Sequence, residues 1–110
     1  MAIAYFSVEI LLSPQPREVN ASGENALRIA EALNVTTFKM LQILAKERLD
    51  VTTISKRLEL SEAYISEQVR LLEDLKLISV SYERGKRGIR KVCESAVEKV
   101  TLIIADQGSV

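Results

Sequence analysis

Residues 50–78 read "DVTTISKRLELSEAYISEQVRLLEDLKLI", and "SVSYERGKRGIRK" follows without a break at 79–91. In the first part, Thr52 stands where it can cap a short helix whose inward residues are Ile54 and Leu58, with small Ser55 placed for close approach of a second helix. After "EL", Ser61 is placed to cap a longer helix. Leu60 before that cap and Ile65 on its fourth helical position have the spacing of a hydrophobic staple. Ile65, Val69, Leu72 and Leu75 then form one apolar stripe. Two helices around so short a turn, the second opened by Ser, predict a helix-turn-helix over residues 52–76.

Past Leu77 the periodicity changes from helical to alternating. Ile78, Val80 and Tyr82 fall on one face, Ser79, Ser81 and Glu83 on the other. "RGKRG" supplies two glycines for a tight reversal, and "IRKVC" returns as a second strand. A β-hairpin over 78–94 is predicted, with Arg84, Lys86, Arg87, Arg90 and Lys91 at or near its tip.

The totals frame these cations. The chain has 110 residues with 15 basic and 15 acidic side chains, hence no net charge. Five of the bases lie within residues 84–91 and no acid does, so a positive tip projects from an acidic body. A polyanion could be held only where charge is focused in this way. A solvated face is the plain alternative for any run of cations.

Outward from this centre, one domain is expected. Residues 3–12 are rich in β-branched and aromatic types and predict an N-terminal strand within 1–16, ended by Pro14 and Pro16. Residues 20–23 read as a loop, with Ser22 placed to cap a helix. Two core helices are expected within 24–48: one with Leu27, Ala30 and Leu33 inward up to a break at Asn34, the next with Phe38, Leu41, Leu44 and Ala45 inward. Residues 97–105 predict a C-terminal strand, with a helix from Ser95 as the alternative. The fold class is thus α+β, a helical core with a basic hairpin and terminal strands.

Several function classes recede. There is no His and one Cys, Cys93, so neither a catalytic imidazole nor a Cys or His metal cluster is available. The glycines at 85 and 88 flank cations on a hairpin instead of opening a helix after a strand, as a nucleotide-cradling loop requires. No enzyme activity, cofactor or metal is expected. No polar cluster marks a pocket for a small-molecule effector. No apolar run approaches the roughly 18 residues of a membrane span, the opening lacks the cationic lead of a secretory signal, and a lone Cys suits a reducing, cytoplasmic setting.

Helix-turn-helix followed by a basic hairpin is the winged-helix layout. The stretch 30–93 resembles ArsR-type transcriptional regulators through "IAEALN", the 50–78 segment and the wing "YERGKRGIRK", whose R-G-I-x-K string is similar to archaeal members. The resemblance implies a homodimer that binds double-stranded operator DNA, with repression by occlusion as the leading mechanism. Where the family's turn usually has glycine this chain has Glu59, which is then expected in a left-handed conformation. Metal sensing does not carry over, since the Cys pairs and His/Asp clusters that serve it are missing. Both ends read as strands, so the dimer contact is expected to include residues 3–12 and 97–105.

With the stripe of the longer helix inward, Glu62, Ala63, Ser66, Glu67 and Arg70 are expected to face a DNA groove. Arg70 suits guanine or a phosphate, Ser66 a phosphate or a base, and Gln68 adenine or the rim of the site. Tyr64 is a brace or a phosphate contact. Glu62 either complements the helix dipole or accepts from cytosine, and Glu67 has no evident role. Arg84, Lys86 and Arg87 form the apex of the wing. Arg90 and Lys91 point to opposite faces of the return strand. Lys39, Lys56 and Arg57 are candidates for phosphates at the edges. A protein-interaction module is the rival reading, since an acidic body and acids on the reading helix suit it.

Overall fold

The computed structural model describes residues 17–105; the strand expected within 1–16 lies outside them. In chain order the elements are β1 (Glu18–Ser22), α1 (Gly23–Ala32), α2 (Val35–Leu44), β2 (Leu49–Asp50), α3 (Val51–Leu58), α4 (Glu62–Asp74), β3 (Ile78–Gly85), β4 (Gly88–Ser95) and β5 (Lys99–Ile103). β3 and β4 form the antiparallel wing, β2 adds to the other edge of β4, and β1 pairs with β5 in parallel.

Local chemistry fixes the helix boundaries. α2 opens on a capping box: Asn34 Oδ1 accepts from the Thr37 N–H at 3.0 Å, and the Asn34 N–H donates to Thr37 Oγ1 at 2.9 Å. Thr37 Oγ1 also donates to the Ala32 carbonyl at 2.7 Å, so one buried hydroxyl joins the end of α1 to the start of α2. α3 is capped by Asp50, which accepts from the Thr53 N–H at 2.8 Å. The cap therefore sits two residues before the Thr52 that the pattern suggested, because Asp50 is held extended by pairing with Val92. Ser61 caps α4 as expected, accepting from the Tyr64 N–H at 3.1 Å.

α3 and α4 close in the same way. Beyond α3, the N–H groups of Glu59 and Leu60 donate to the carbonyls of Lys56 and Ser55; beyond α4, those of Lys76 and Leu77 donate to Glu73 and Leu72. These are Schellman closures, which need a left-handed residue. Glu59 (φ 56°) and Lys76 (φ 63°) supply it in place of glycine. The expectation for Glu59 holds.

The core gathers Ile29, Met40, Ile54, Ile65, Leu72 and Leu77, all at 0% exposure. Leu33 and Leu41 are half-buried against it, and Leu44 is buried. The inward faces of the first two helices differ from the spacing argument: Leu27 is 60% and Phe38 56% exposed, and Ala30 and Ala45 are exposed too. Ile29 and Ala32 point inward from α1, and Thr37, Met40 and Leu44 from α2. α1 carries two adjacent apolar stripes, so periodicity alone did not choose between them. Residues 20–23 are also not simply a loop. Asn20 to Ser22 end β1, paired with Thr101 to Ile103, and Ser22 flanks α1 without a side-chain cap bond. The last segment is a strand, β5, as its β-branched content indicated.

Candidate nucleic-acid interface

α4 is anchored by Ile65, Val69 and Leu72, each fully buried. At 100° per residue, Ala63, Glu67, Arg70 and Asp74 lie on the opposite face, with Ser66 on one flank and Tyr64 on the other. All six are exposed, Tyr64 at 37%, while Gln68 is half-buried towards the core side. Ala63, Ser66, Glu67 and Arg70 therefore form an exposed strip, and the small Ala63 leaves room for close approach near the helix start.

Glu62 stands apart from this strip. Its carboxylate accepts a hydrogen bond from the Thr52 hydroxyl at 2.7 Å, tying the first turn of α3 to the first turn of α4. The contact holds the two helices of the unit in their mutual angle and keeps a negative charge at the positive end of the α4 dipole. Sequence reasoning had given Thr52 to the wrong task; only the fold brings it against Glu62.

The wing turns through Lys86 and Arg87, between paired Gly85 and Gly88. Of the two glycines only Gly88 takes a positive φ, 113°. Gly85 meets a steric limit instead, since a Cβ there would come within 2.7 Å of Arg90 Cγ. Arg84, Lys86, Arg87 and Arg90 are exposed and Lys91 is half-buried. Tyr82 and Ile89 share this end of the hairpin at 68% and 76% exposure. The loss of burial along β3, from Ile78 at 3% to Tyr82, marks where the hairpin leaves the core.

Ion pairs separate the engaged cations from the free ones. Arg48, in the link from α2 to β2, meets Glu83, donates to Ser81 Oγ at 3.0 Å and lies 4.0 Å from Glu94. Arg90 lies 3.8 Å from Asp50, the residue that caps α3. Arg57 forms a two-pronged pair with Glu47 at 2.8 and 3.2 Å, which lowers the Glu47 pKa through that hydrogen bonding and commits Arg57 away from a phosphate. Among the described residues no carboxylate pairs with Arg70, Arg84, Lys86, Arg87, Lys91, Lys39 or Lys56. The cluster of Arg48, Glu83 and Glu94 leaves no local signal in the sequence, because Arg48 is brought to Glu83 across 35 residues.

Cys93 at the base of the wing is fully buried, and burial pushes its thiol up to about 11. A thiol so placed stays protonated and shielded, which gives no support to a redox role. Among the described residues no three Cys, Asp or Glu side chains converge as a metal site requires, and no helix is long and apolar enough to cross a membrane.

A second surface lies away from the wing tip, beside α2. Leu33, Phe38, Leu41, Val97 and Val100 line an open apolar groove of about 550 Å³ between α2 and the start of β5. Ile104, just past β5, is 99% exposed.

No protein-family model matches this sequence, and no curated protein matches it. Solved structures do resemble its fold. One is the homodimeric winged helix-turn-helix DNA-binding domain of a possible ArsR-family regulator from Mycobacterium bovis, with TM-score 0.58 at 22% identity. That match covers 66% of this chain and spans 65% of the other. NolR from Sinorhizobium fredii matches with TM-score 0.56 at 24% identity over 68% of this chain and 72% of its own. Reduced HlyU from Vibrio cholerae matches with TM-score 0.55 at 22% identity over 64% and 72%. At these identities the likeness is one of fold, and this chain has the winged helix-turn-helix fold.

Proposed function

We propose that the protein is a sequence-specific DNA-binding transcriptional regulator that acts as a homodimer on a pseudo-palindromic operator and represses by covering a promoter. The observation that carries this is the pairing of an exposed strip on α4 with a wing whose Arg84, Lys86, Arg87 and Lys91 have no acid partner among the described residues. Unpaired cations at a projecting tip are what counterion release from a duplex requires. In this reading Arg70, Ser66 and Ala63 address base edges or nearby phosphates, Tyr64 and Gln68 the rim, and Glu67 acts against bases that offer no donor. The Mycobacterium bovis domain, described as homodimeric and DNA-binding, supports the same reading.

For the dimer, the proposal keeps the C-terminal strand and adds the α2 groove beside it. Phe38 and the groove floor supply apolar area, and Lys39 and Glu98 at its sides suit a two-fold arrangement in which each meets the other's counterpart. Two-fold symmetry would set the two α4 helices roughly 34 Å apart, one turn of DNA.

The test is selection from a random duplex library with the full chain, followed by sequencing. An enriched inverted repeat with half-sites about one turn apart is expected. Absence of enrichment, together with no duplex binding at low salt, would overturn the proposal and favour a protein partner, for which Glu67 at the centre of the α4 strip would be the natural contact.

A further inference from the structure

A two-stranded ribbon has two faces, and register sorts its side chains between them. On one face Tyr82 lies opposite Lys91 and Arg84 opposite Ile89. On the other, Glu83 lies opposite Arg90, and Ser81 opposite Val92. On the second face the cations are engaged: Arg48 reaches Glu83 and lies 4.0 Å from Glu94, and Arg90 lies 3.8 Å from Asp50. The first face carries no acid at this end of the hairpin.

Burial tells which face looks towards the core on which α4 packs. Nearer the base, the first face continues into Val80, Ile78 and Cys93, which belong to or pack on the cluster that includes Ile65 and Leu72 of α4. Val92, on the second face, is 2% exposed yet lies outside that cluster. Arg84 and Lys91 therefore project from the core side of the ribbon, the side to which α4 is anchored, and the paired Arg90 from the other.

We infer that the wing meets nucleic acid with one face and its tip. Arg84, Lys91, Lys86 and Arg87 make the contacts, flanked by Tyr82 and Ile89, while Arg48 and Arg90 are positioning residues on the reverse. Arg48 pairs with Glu83, lies 4.0 Å from Glu94 and so offsets part of the negative charge that would repel a phosphate backbone, and it pins the ribbon to the α2–β2 link. Arg90 ties the ribbon to the residue that caps α3, so wing and helix-turn-helix keep one mutual orientation. The inference rests on the proposed DNA binding; the sequence already sends Arg90 and Lys91 to opposite faces, and the register and ion pairs decide which of the two joins the apex.

Fluorescence anisotropy with the full chain and a labelled duplex, over a salt series, tests it. Each cation that releases counterions contributes about 0.9 to the slope of log affinity against log salt. Arg84→Ala/Lys91→Ala should reduce the slope by about 1.8 per protomer, and Arg84→Lys alone should preserve it. Arg90→Ala and Arg48→Ala should leave the slope unchanged. Arg48→Ala should weaken binding at low salt, and Glu83→Gln/Glu94→Gln in the same chain should restore it, which a purely structural loss would not allow. An Arg90→Ala slope that falls as far as that of Lys91→Ala would overturn the assignment of faces while leaving DNA binding intact. A wild-type chain that binds no duplex would overturn the DNA reading and the inference with it.

Discussion

Replacing Glu59 by glycine should stabilise the protein. Glu59 closes α3 at φ 56°, ψ 45°, in the left-handed region, and its exposed side chain makes no hydrogen bond or ion pair among the described residues. A residue with a Cβ in that conformation costs roughly 1–2 kcal/mol. Glycine removes this cost but is freer in the unfolded chain, which returns about 0.5–1 kcal/mol. The net gain for Glu59→Gly is about 0.5–1 kcal/mol, or roughly 2–8 °C in Tm for a domain of this size. Glu59→Ala separates conformation from charge: it removes the carboxylate, keeps the Cβ, and should stay within about 0.5 kcal/mol of the parent. Urea unfolding followed by far-UV circular dichroism measures both against wild type. A glycine variant no more stable than the alanine variant would refute the claim that backbone strain is held in the turn.

Three further outcomes follow from the core and the caps. Asp50→Ala should cost about 1 kcal/mol at neutral pH through loss of the α3 cap, measured by urea unfolding. Thr53 hydrogen bonding holds the Asp50 pKa below 3.8, so this stabilisation is present above that value and is lost as pH falls through the lower folded pKa; the two unfolding curves should converge in acid. Cys93, raised by burial from 9.0 to about 11, should resist alkylation near neutral pH until the chain unfolds, and its contribution to stability should persist below pH 9.0 and decline as pH rises through about 11; fast native-state labelling would contradict its burial. Ile65→Ala, at a position of 0% exposure under α4, should cost about 2–5 kcal/mol, which calorimetry would show as a marked fall in Tm.

The helix-turn-helix and wing were legible because local chemistry and global packing agree there. Ser61 caps, Ile65, Val69 and Leu72 anchor, the alternation from Ile78 gives the wing, and the need for a left-handed residue falls on Glu59. The first two helices were less legible because the run from Ala26 to Leu33 is apolar on two adjacent stripes, and the choice between them depends on tertiary packing that periodicity does not contain. The cap of α3 was misplaced for a related reason. Asp50 and Thr52 are both acceptable caps by type, and a two-residue pairing of Leu49–Asp50 with Val92 and Cys93 decides between them. The opposite faces of Arg90 and Lys91 were legible in the alternation, but which of them is tied down depends on Asp50, brought alongside by the pairing of β2 with β4, and the pairing of Glu83 depends on Arg48, a residue that carries no signal in its own neighbourhood.

The central claim, that α4 and one face of the wing together form a duplex-binding surface, is tested most directly by mapping backbone amide shifts in solution while titrating the selected duplex. Perturbations should concentrate at residues 63–70 and 84–91, with the groove formed by Leu33, Phe38 and Val100 unaffected. Shifts centred on that groove, with α4 and the wing silent, would contradict it.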